Sequence, residues 1–301
     1  MPDIVVICGA TASGKTAMSL SLANFIDIEI ISADSRQVYK MLDIGTAKPS
    51  PEELNKVKHY FIDFLDLEET YSAGVYGQDA YLQVRKIKES SKIPVVVGGS
   101  GLYIKSLCEG LFEEVIDKKK LEVRAELELE LEKFGIDKLY QELEKIDIDS
   151  FKLYSDKNPR RIIRAIEHYR STGIAFSVAQ KEFAINRNLR PIYFAIEFDR
   201  EELYNRINQR VEKMWEMGLV FETEKILSLG YSKTLNSLNT VGYKEVIKYL
   251  DGEFTKDIAI SELKKNTRHY AKRQITWFRK IPNIRFVKPD KLISEIINAL
   301  N

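Results

Sequence analysis

Gly9-Ala10-Thr11-Ala12-Ser13-Gly14-Lys15-Thr16 is the stretch on which the reading of this chain turns. It follows an apolar run, Ile4 to Cys8, and precedes a helix-forming run, Ala17 to Phe25. A glycine-rich turn between a strand and a helix aims several backbone amides at one point, and the helix adds the positive end of its dipole. Lys15 brings a mobile cation and Thr16 a hydroxyl suited to Mg²⁺. Residues 9 to 16 therefore read as a P-loop, a cradle for a di- or triphosphate. On the motif alone, it stays open whether that phosphate is donated, hydrolysed or expelled as a leaving group.

Outward from the loop, strand signals recur at Ile4 to Cys8, Ile28 to Ile31, Val95 to Val97 and Ile192 to Phe198, with helical patterns between them. This alternation predicts an α/β fold with a parallel, doubly wound sheet flanked by helices. From Glu113 to Asn186 the strand signal disappears, while Leu121, Leu127, Leu131, Phe134, Leu139 and Leu143 keep helical spacing. An inserted all-helical domain is expected over 113–186, within a core made of 1–112 and 187–301. Past Gly242 come helical runs to about Lys280, a short strand-like piece, Ile284 to Val287, and a last helix.

The 301 residues are 44% hydrophobic and 30% charged, enough to bury a substantial core. No apolar run approaches the roughly 20 residues of a bilayer span, and the first residues enter a strand without the regions of a signal peptide. A cytoplasmic protein with no membrane segment is expected, and monomer is the default. Cys8 and Cys108 read as structural thiols, too few for a disulfide framework or a zinc site. Lys+Arg 46 against Asp+Glu 45 leaves a net charge of +1, but Lys157 to Arg170 and Lys264 to Lys280 gather cations among aromatics. Such clusters on a neutral chain suit a local polyanion site, or simply a solvated helix face.

The second predicted strand runs into Ser32-Ala33-Asp34-Ser35-Arg36-Gln37-Val38-Tyr39, which delivers a carboxylate to the carboxyl edge of the sheet, where open α/β sheets bind ligands. Asp34 can position metal waters, serve as a general base, or cap the next helix. The candidate strand Val95-Val96-Val97 ends in Gly98-Gly99-Ser100-Gly101 with no acid, which argues against a nucleotide-driven motor and for a kinase-like transferase layout. That second glycine turn offers close backbone approach and one hydroxyl, or is an ordinary tight turn. Gly45-Thr46-Ala47-Lys48-Pro49 is either a ligand-facing loop or a connector. Arg206 and Arg210, four apart on one helix face, either reach the phosphate site or pair with Glu201 or Glu202.

Taken together, Gly9 to Thr16, Asp34-Ser-Arg-Gln-Val-Tyr39, Asp43-Ile-Gly-Thr-Ala-Lys-Pro49, Tyr71-Ser-Ala-Gly74, Gly98-Gly-Ser-Gly-Leu-Tyr103, Asn158-Pro-Arg-Arg161 with Arg164-Ala165, and Thr267-Arg268 with Ala271-Lys-Arg-Gln-Ile-Thr-Trp-Phe-Arg279 resemble the tRNA dimethylallyltransferases. The resemblance runs in unbroken order from about residue 4 to 280. It implies transfer of a dimethylallyl group from dimethylallyl diphosphate to the exocyclic amine of the adenosine just 3′ of a tRNA anticodon, with Mg²⁺. By motif, Gly9, Ala10, Thr11, Ala12, Ser13, Gly14, Lys15 and Thr16 would hold the diphosphate, with Thr16 on the metal. Lys15, Thr11, Ser100, Arg210 and Asp34 would carry catalysis, Asp34 as the base. Asp34, Ser35, Arg36, Gln37 and Ser100 would meet the acceptor, while Arg124, Arg160, Arg161, Arg164, Arg268, Lys272 and Arg273 would bind the tRNA backbone of the anticodon stem-loop. Departures are small: Ala10 stands for a usual proline, Ser100 for a usual threonine, and His59 is alone where two histidines are common. His59 is expected to be a core or capping residue. The rival readings are a prenyltransferase acting on free AMP, a small-molecule kinase with ATP in the loop, and a non-enzymatic RNA-binding protein.

Overall fold

A computed structural model describes residues 2–112, 117–183, 185 and 187–301. Along the chain the elements are β1 (Ile4–Gly9), α1 (Lys15–Leu22), β2 (Ile28–Ser32), α2 (Pro51–Lys56), β3 (His59–Tyr60), α3 (Ala73–Glu89), β4 (Ile93–Gly98) and α4 (Gly101–Glu109). There follow α5 (Lys118–Phe134), α6 (Ile136–Ile146), α7 (Ile148–Leu153), α8 (Pro159–Thr172) and α9 (Phe176–Glu182). The chain ends with β5 (Pro191–Ile196), α10 (Arg200–Glu216), α11 (Leu219–Ser228), α12 (Tyr243–Leu250), α13 (Lys256–Phe278), β6 (Arg285–Val287) and α14 (Pro289–Leu300). The chain divides into two compact units, residues 1–109 with 187–301, and residues 110–186.

Among the described residues six strands form one parallel sheet in the order β3-β2-β4-β1-β5-β6, an α/β architecture with β1 in the interior. Alternation along β1 explains how one strand serves two cores. Ile4, Val6 and Cys8 face α3, α4 and the end of α13 through Tyr76, Ala80, Val84, Ile104, Leu107 and Phe278, whereas Val5 and Ile7 face α1 and α14 through Leu22, Leu292 and Ile296. Each Val, Leu, Ile or Phe side chain among them stabilises the fold by roughly 1.5–3 kcal/mol when fully buried. A third core, with Val38, Leu42, Leu65, Val211, Leu219, Leu238 and Tyr243, packs α10 to α12 against the loops after β2 and β3. Those loops overhang the carboxyl edge of the sheet.

Several quoted motifs are helix starts. Ser72, in Tyr71-Ser-Ala-Gly74, is the N-cap of α3, its hydroxyl accepting the Val75 N–H at 3.1 Å. Asn158 caps α8, with Pro159 at the first helical position. Two strand details differ from the sequence reading. β3 has only two residues, too few for an alternating pattern to show, and β5 stops at Ile196, with Phe198 beyond it lying beneath the Arg206 guanidinium at 4.5 Å. Cys8 and Cys108 are free and buried. Among the described residues no helix is long and apolar enough to cross a membrane.

The 110–186 unit is helical throughout its described part, built on Leu127, Leu139, Leu143, Ile162, Ile166 and Phe176. Buried Asp147 knits it together, accepting from the N–H groups and hydroxyls of both Ser150 and Ser177. Arg170 bridges Glu130 and Glu142 from the adjoining helices.

Candidate active site

The phosphate loop leaves β1 and enters α1 through Gly14, whose φ of 82° is the left-handed conformation that favours glycine. Lys15 Nζ donates to the carbonyls of Gly9 (3.1 Å) and Ala10 (2.8 Å), so the ammonium lies curled against its own loop, with no third acceptor among the described residues. Burial, and after it the Arg210 charge, lowers the Lys15 pKa to about 8, with Asp34 pulling the other way. Burial lowers Arg210 too, again opposed by Asp34. Two cations thus share the field of one carboxylate. Among the described residues Ser13 Oγ is buried in the loop without a hydrogen-bond partner. An orphan hydroxyl in a phosphate loop fits an anion that accepts from it.

Asp34 follows β2. Its Oδ1 accepts from the N–H groups of Arg36 (2.9 Å) and Gln37 (3.4 Å), which closes a turn rather than capping a helix. Its Oδ2 has no partner among the described residues and is the oxygen left for chemistry. Ser100, after β4, accepts from Ser35 N–H at 3.0 Å and donates to the Ser35 hydroxyl at 3.3 Å, joining the two turns. The turns meet closely. A Cβ on Gly98 would stand 2.1 Å from the Ala33 carbonyl oxygen, so only glycine fits there.

The Asp43 to Pro49 loop is a built wall. Glu222, on α11, accepts from the N–H groups of Asp43, Ile44 and Gly45 and from the Tyr243 hydroxyl. Behind it, Lys48 pairs with Asp43 and Asp63. The loop's outward carbonyls hold two expected site residues: Gln37 Nε2 donates to Thr46 (3.2 Å) and Ala47 (3.1 Å), and Arg210 to Thr46 at 3.5 Å. Gly45 is fixed by Tyr243, whose buried ring would lie 2.5 Å from an added Cβ. Gly45→Ala is expected to cost about 1–3 kcal/mol, the usual penalty of overpacking. A lowered denaturant midpoint checks this; an unchanged one would mean that the Tyr243 ring gives way.

Lys15, Thr16, Asp34, Gln37 and Gly98 line one cavity with Ser19, Ser32 and the apolar side chains Ile30, Pro49, Ile62 and Val97. His59 lines it as well. Its Nδ1 bonds the Val57 carbonyl at 2.7 Å and burial lowers its pKa, so the ring is tied to the end of α2 and yet borders the site. Arg206 sits outside the loop, Nε donating to the Ala12 carbonyl at 2.9 Å. Neither Arg206 nor Arg210 forms an ion pair with Glu201 or Glu202 among the described residues.

The expected backbone-binding cations divide by environment. Arg160, Arg161 and Arg164 project from α8 into solvent, Arg161 near Asp156 (3.4 Å) and Arg164 over the Phe176 ring (5.2 Å). Arg124 is held by Glu167 at 2.6 Å, a partner 43 residues away that its own sequence context does not reveal. On α13, Lys272 and Arg273 are exposed, while Arg268 donates to Asn208 Oδ1 at 2.9 Å. Glu222, Tyr243 and Tyr270 carry no signal of their own in the sequence, and Gln274 stands in the quoted Ala271 to Arg279 motif without a role assigned to it. Burial and then the Asp34 charge raise the Tyr270 pKa, which sets that phenol near the carboxylate.

For a metal, the cavity offers the Thr16 hydroxyl and the Asp34 carboxylate, and no group of three or more His, Cys, Asp or Glu among the described residues could hold one unaided. This fits Mg²⁺ shared with diphosphate oxygens and water, the usual manner of a hard cation at a phosphate loop.

A family model described as IPP transferase matches residues 37–281. The tRNA dimethylallyltransferase of Acetivibrio thermocellus is 43% identical over 299 residues, covering 98% of this chain and 94% of that protein. That of Thermotoga maritima is 45% identical over 280 residues, 92% of this chain and 89% of that protein. Among solved structures, the full-length tRNA isopentenylpyrophosphate transferase of Bacillus halodurans superposes with a TM-score of 0.72 at 36% identity, covering 100% of this chain and 96% of that one. A eukaryotic dimethylallyltransferase acting on tRNA gives a TM-score of 0.80 at 27% identity, covering 95% and 73% of the two chains. With the family model spanning most of its length and relatives this similar along nearly all of it, the chain belongs to the IPP transferase family.

Proposed function

We propose that the protein transfers a dimethylallyl group from dimethylallyl diphosphate to the N6 amine of the adenosine on the 3′ side of a tRNA anticodon. The observation that carries this reading is the meeting of Lys15 and the Asp34 carboxylate at one cavity with apolar walls, with the Arg210 charge close enough to act on Lys15. The amine lone pair is delocalised into the adenine ring, so the nucleophile is weak. Catalysis needs charge stabilised on the departing diphosphate and a base for the amine proton. The C1–O bond of the allylic diphosphate breaks, a C1–N6 bond forms, and the amine proton passes to Asp34 Oδ2. Lys15, the loop amides, Ser13 and Arg210 bind the leaving diphosphate. Mg²⁺, held by Thr16, would neutralise charge on that group. Ile30, Ile62 and Val97 offer a dry wall for the five-carbon tail. Thr11 and Ser100 complete the hydrogen bonding around donor and amine, and Gln37 lies ready to exchange its loop carbonyls for a base edge.

The acceptor is stacked within the anticodon loop and has to be flipped out at a cost of a few kcal/mol. Arg160, Arg161 and Arg164 on α8, with Lys272 and Arg273 on α13, offset this by neutralising phosphates. Arg161→Ala combined with Arg164→Ala is expected to weaken tRNA binding and to flatten its salt slope by about 1 for each phosphate no longer neutralised. Filter binding across a salt series reads both quantities, and an unaltered affinity and slope would remove α8 from the RNA surface. The overall reading is tested by nucleoside mass spectrometry of unmodified tRNA incubated with the protein, Mg²⁺ and dimethylallyl diphosphate, beside a parallel AMP reaction. A dimethylallyl mass gain on tRNA adenosine alone is the expected result; gain on AMP alone, or on neither, overturns it. A cytoplasmic monomer is the form in which we expect it to work.

A further inference from the structure

Beyond the residues already given roles, we infer that Gln274 is a positioning residue that sets the spacing between the leaving-group cation Lys15 and the base Asp34. This rests on the prenyl-transfer reading above. β1 and β4 pair as far as Cys8 opposite Gly98, and there the ladder between them stops. The buried Gln274 side chain, 6% exposed, takes the place of the next rung. Its Oε1 accepts the Thr11 N–H at 2.8 Å and its Nε2 donates to the Gly99 carbonyl at 2.9 Å.

What those two peptides hold on their other sides gives the bridge its consequence. The Thr11 N–H belongs to the Ala10–Thr11 peptide, whose carbonyl accepts from Lys15 Nζ at 2.8 Å. The Gly99 carbonyl belongs to the Gly99–Ser100 peptide, whose N–H donates to the Ala33 carbonyl at 3.0 Å, and that carbonyl is joined directly to Asp34. One unbroken series of hydrogen bonds and rigid peptide planes therefore runs from the Lys15 ammonium, through the Gln274 amide, to the residue that carries the base. Peptide planes do not bend easily, so the amide fixes both ends. Gly99 is bare to admit it, since an added Cβ would stand 2.2 Å from Gln274 Nε2. An apolar side chain of the same length would fill the space and leave a buried N–H and a buried carbonyl unpaired.

The test compares the parent protein with Gln274→Met, which keeps the volume and loses both bonds, and Gln274→Glu, which keeps the shape and sets a carboxylate oxygen against the Gly99 carbonyl. The readouts are single-turnover rate at saturating substrates, KM for tRNA, Kd for dimethylallyl diphosphate, and melting temperature. A misplacement of reacting groups by a fraction of an ångström predicts turnover lowered between about 10- and about 100-fold in both variants. KM and Kd are expected to stay within about threefold, because neither variant alters a group that touches either substrate. A Gln274→Met protein that turns over like the parent overturns the positioning role. So does one whose loss of rate disappears on cooling in step with a lowered melting temperature, since a purely structural role would behave that way. If the parent itself shows no transfer to tRNA, it is the functional reading that fails, whatever the variants do.

Discussion

Asp34→Asn is expected to lower turnover about 10²- to 10⁴-fold, the range for loss of a positioned general base, while the protein remains folded. The substitution separates the two duties of this side chain. Oδ1 closes the turn by accepting from Arg36 and Gln37, and an asparagine oxygen can still do so. Oδ2, which has no partner among the described residues, becomes an NH₂ group that cannot take a proton from the adenine amine. The variant also withdraws the negative charge that holds the Lys15 pKa up, and with it a carboxylate that repels the diphosphate; these act on donor binding in opposite directions, so the large effect is expected in the rate. Single-turnover assays at saturating tRNA, with thermal melts of the same preparations, distinguish the outcomes. A rate within about threefold of the parent would leave Asp34 as a turn residue and move the base elsewhere, with His59, which lines the same cavity, the next group to test.

The loop and its flanks can be read from sequence because they are local: a strand, a glycine turn and a helix within about two dozen residues carry their own geometry. Asp34 is legible for a similar reason, as a carboxylate placed by the end of β2. What sequence does not reveal is what holds these pieces in place. Glu222 meets the N–H of Ile44 across 178 residues, and Gln274 meets Thr11 across 263. No periodicity or spacing reports such a pairing. The glycines show the same divide. Gly14 can be understood from the turn it makes, but Gly45, Gly99 and Gly101 are bare because Tyr243, Gln274 and Trp277 press on them. His59 reads as a core or capping residue because its two-residue strand has too little pattern to reveal which way the ring points. The basic helices show the limit of charge patterning: Arg160, Arg161 and Arg164 on α8 and Arg124 on α5 are all exposed, yet Arg161 lies beside Asp156 and Arg124 is held by Glu167.

Lys15→Met is expected to move activity and stability in opposite directions. Without its cation the loop loses charge stabilisation on the departing diphosphate, and turnover should fall by about 10²- to 10³-fold, as on removal of a preorganised donor elsewhere. Stability follows from the lysine's own titration. Its pKa is lowered from 10.5 to about 8 in the folded protein, chiefly by burial and next by Arg210. The charged lysine therefore opposes folding in full below about pH 8, an opposition that lifts as pH rises toward 10.5, and the methionine, which carries no proton in either state, escapes it. The methionine variant should therefore melt higher than the parent near pH 7. Donor binding reverses the sign. A bound diphosphate favours the charged lysine, so the parent's Kd for dimethylallyl diphosphate should weaken about tenfold from about pH 7 to about pH 9 as the free protein gives up the proton. The variant should show weak binding with little of that slope. Calorimetric titration over this range, beside melts at the same pH values, checks both halves. A variant that melts lower than the parent and binds the donor as tightly would make Lys15 a structural tie between its loop carbonyls, and would leave the departing diphosphate to Arg210 and the loop amides.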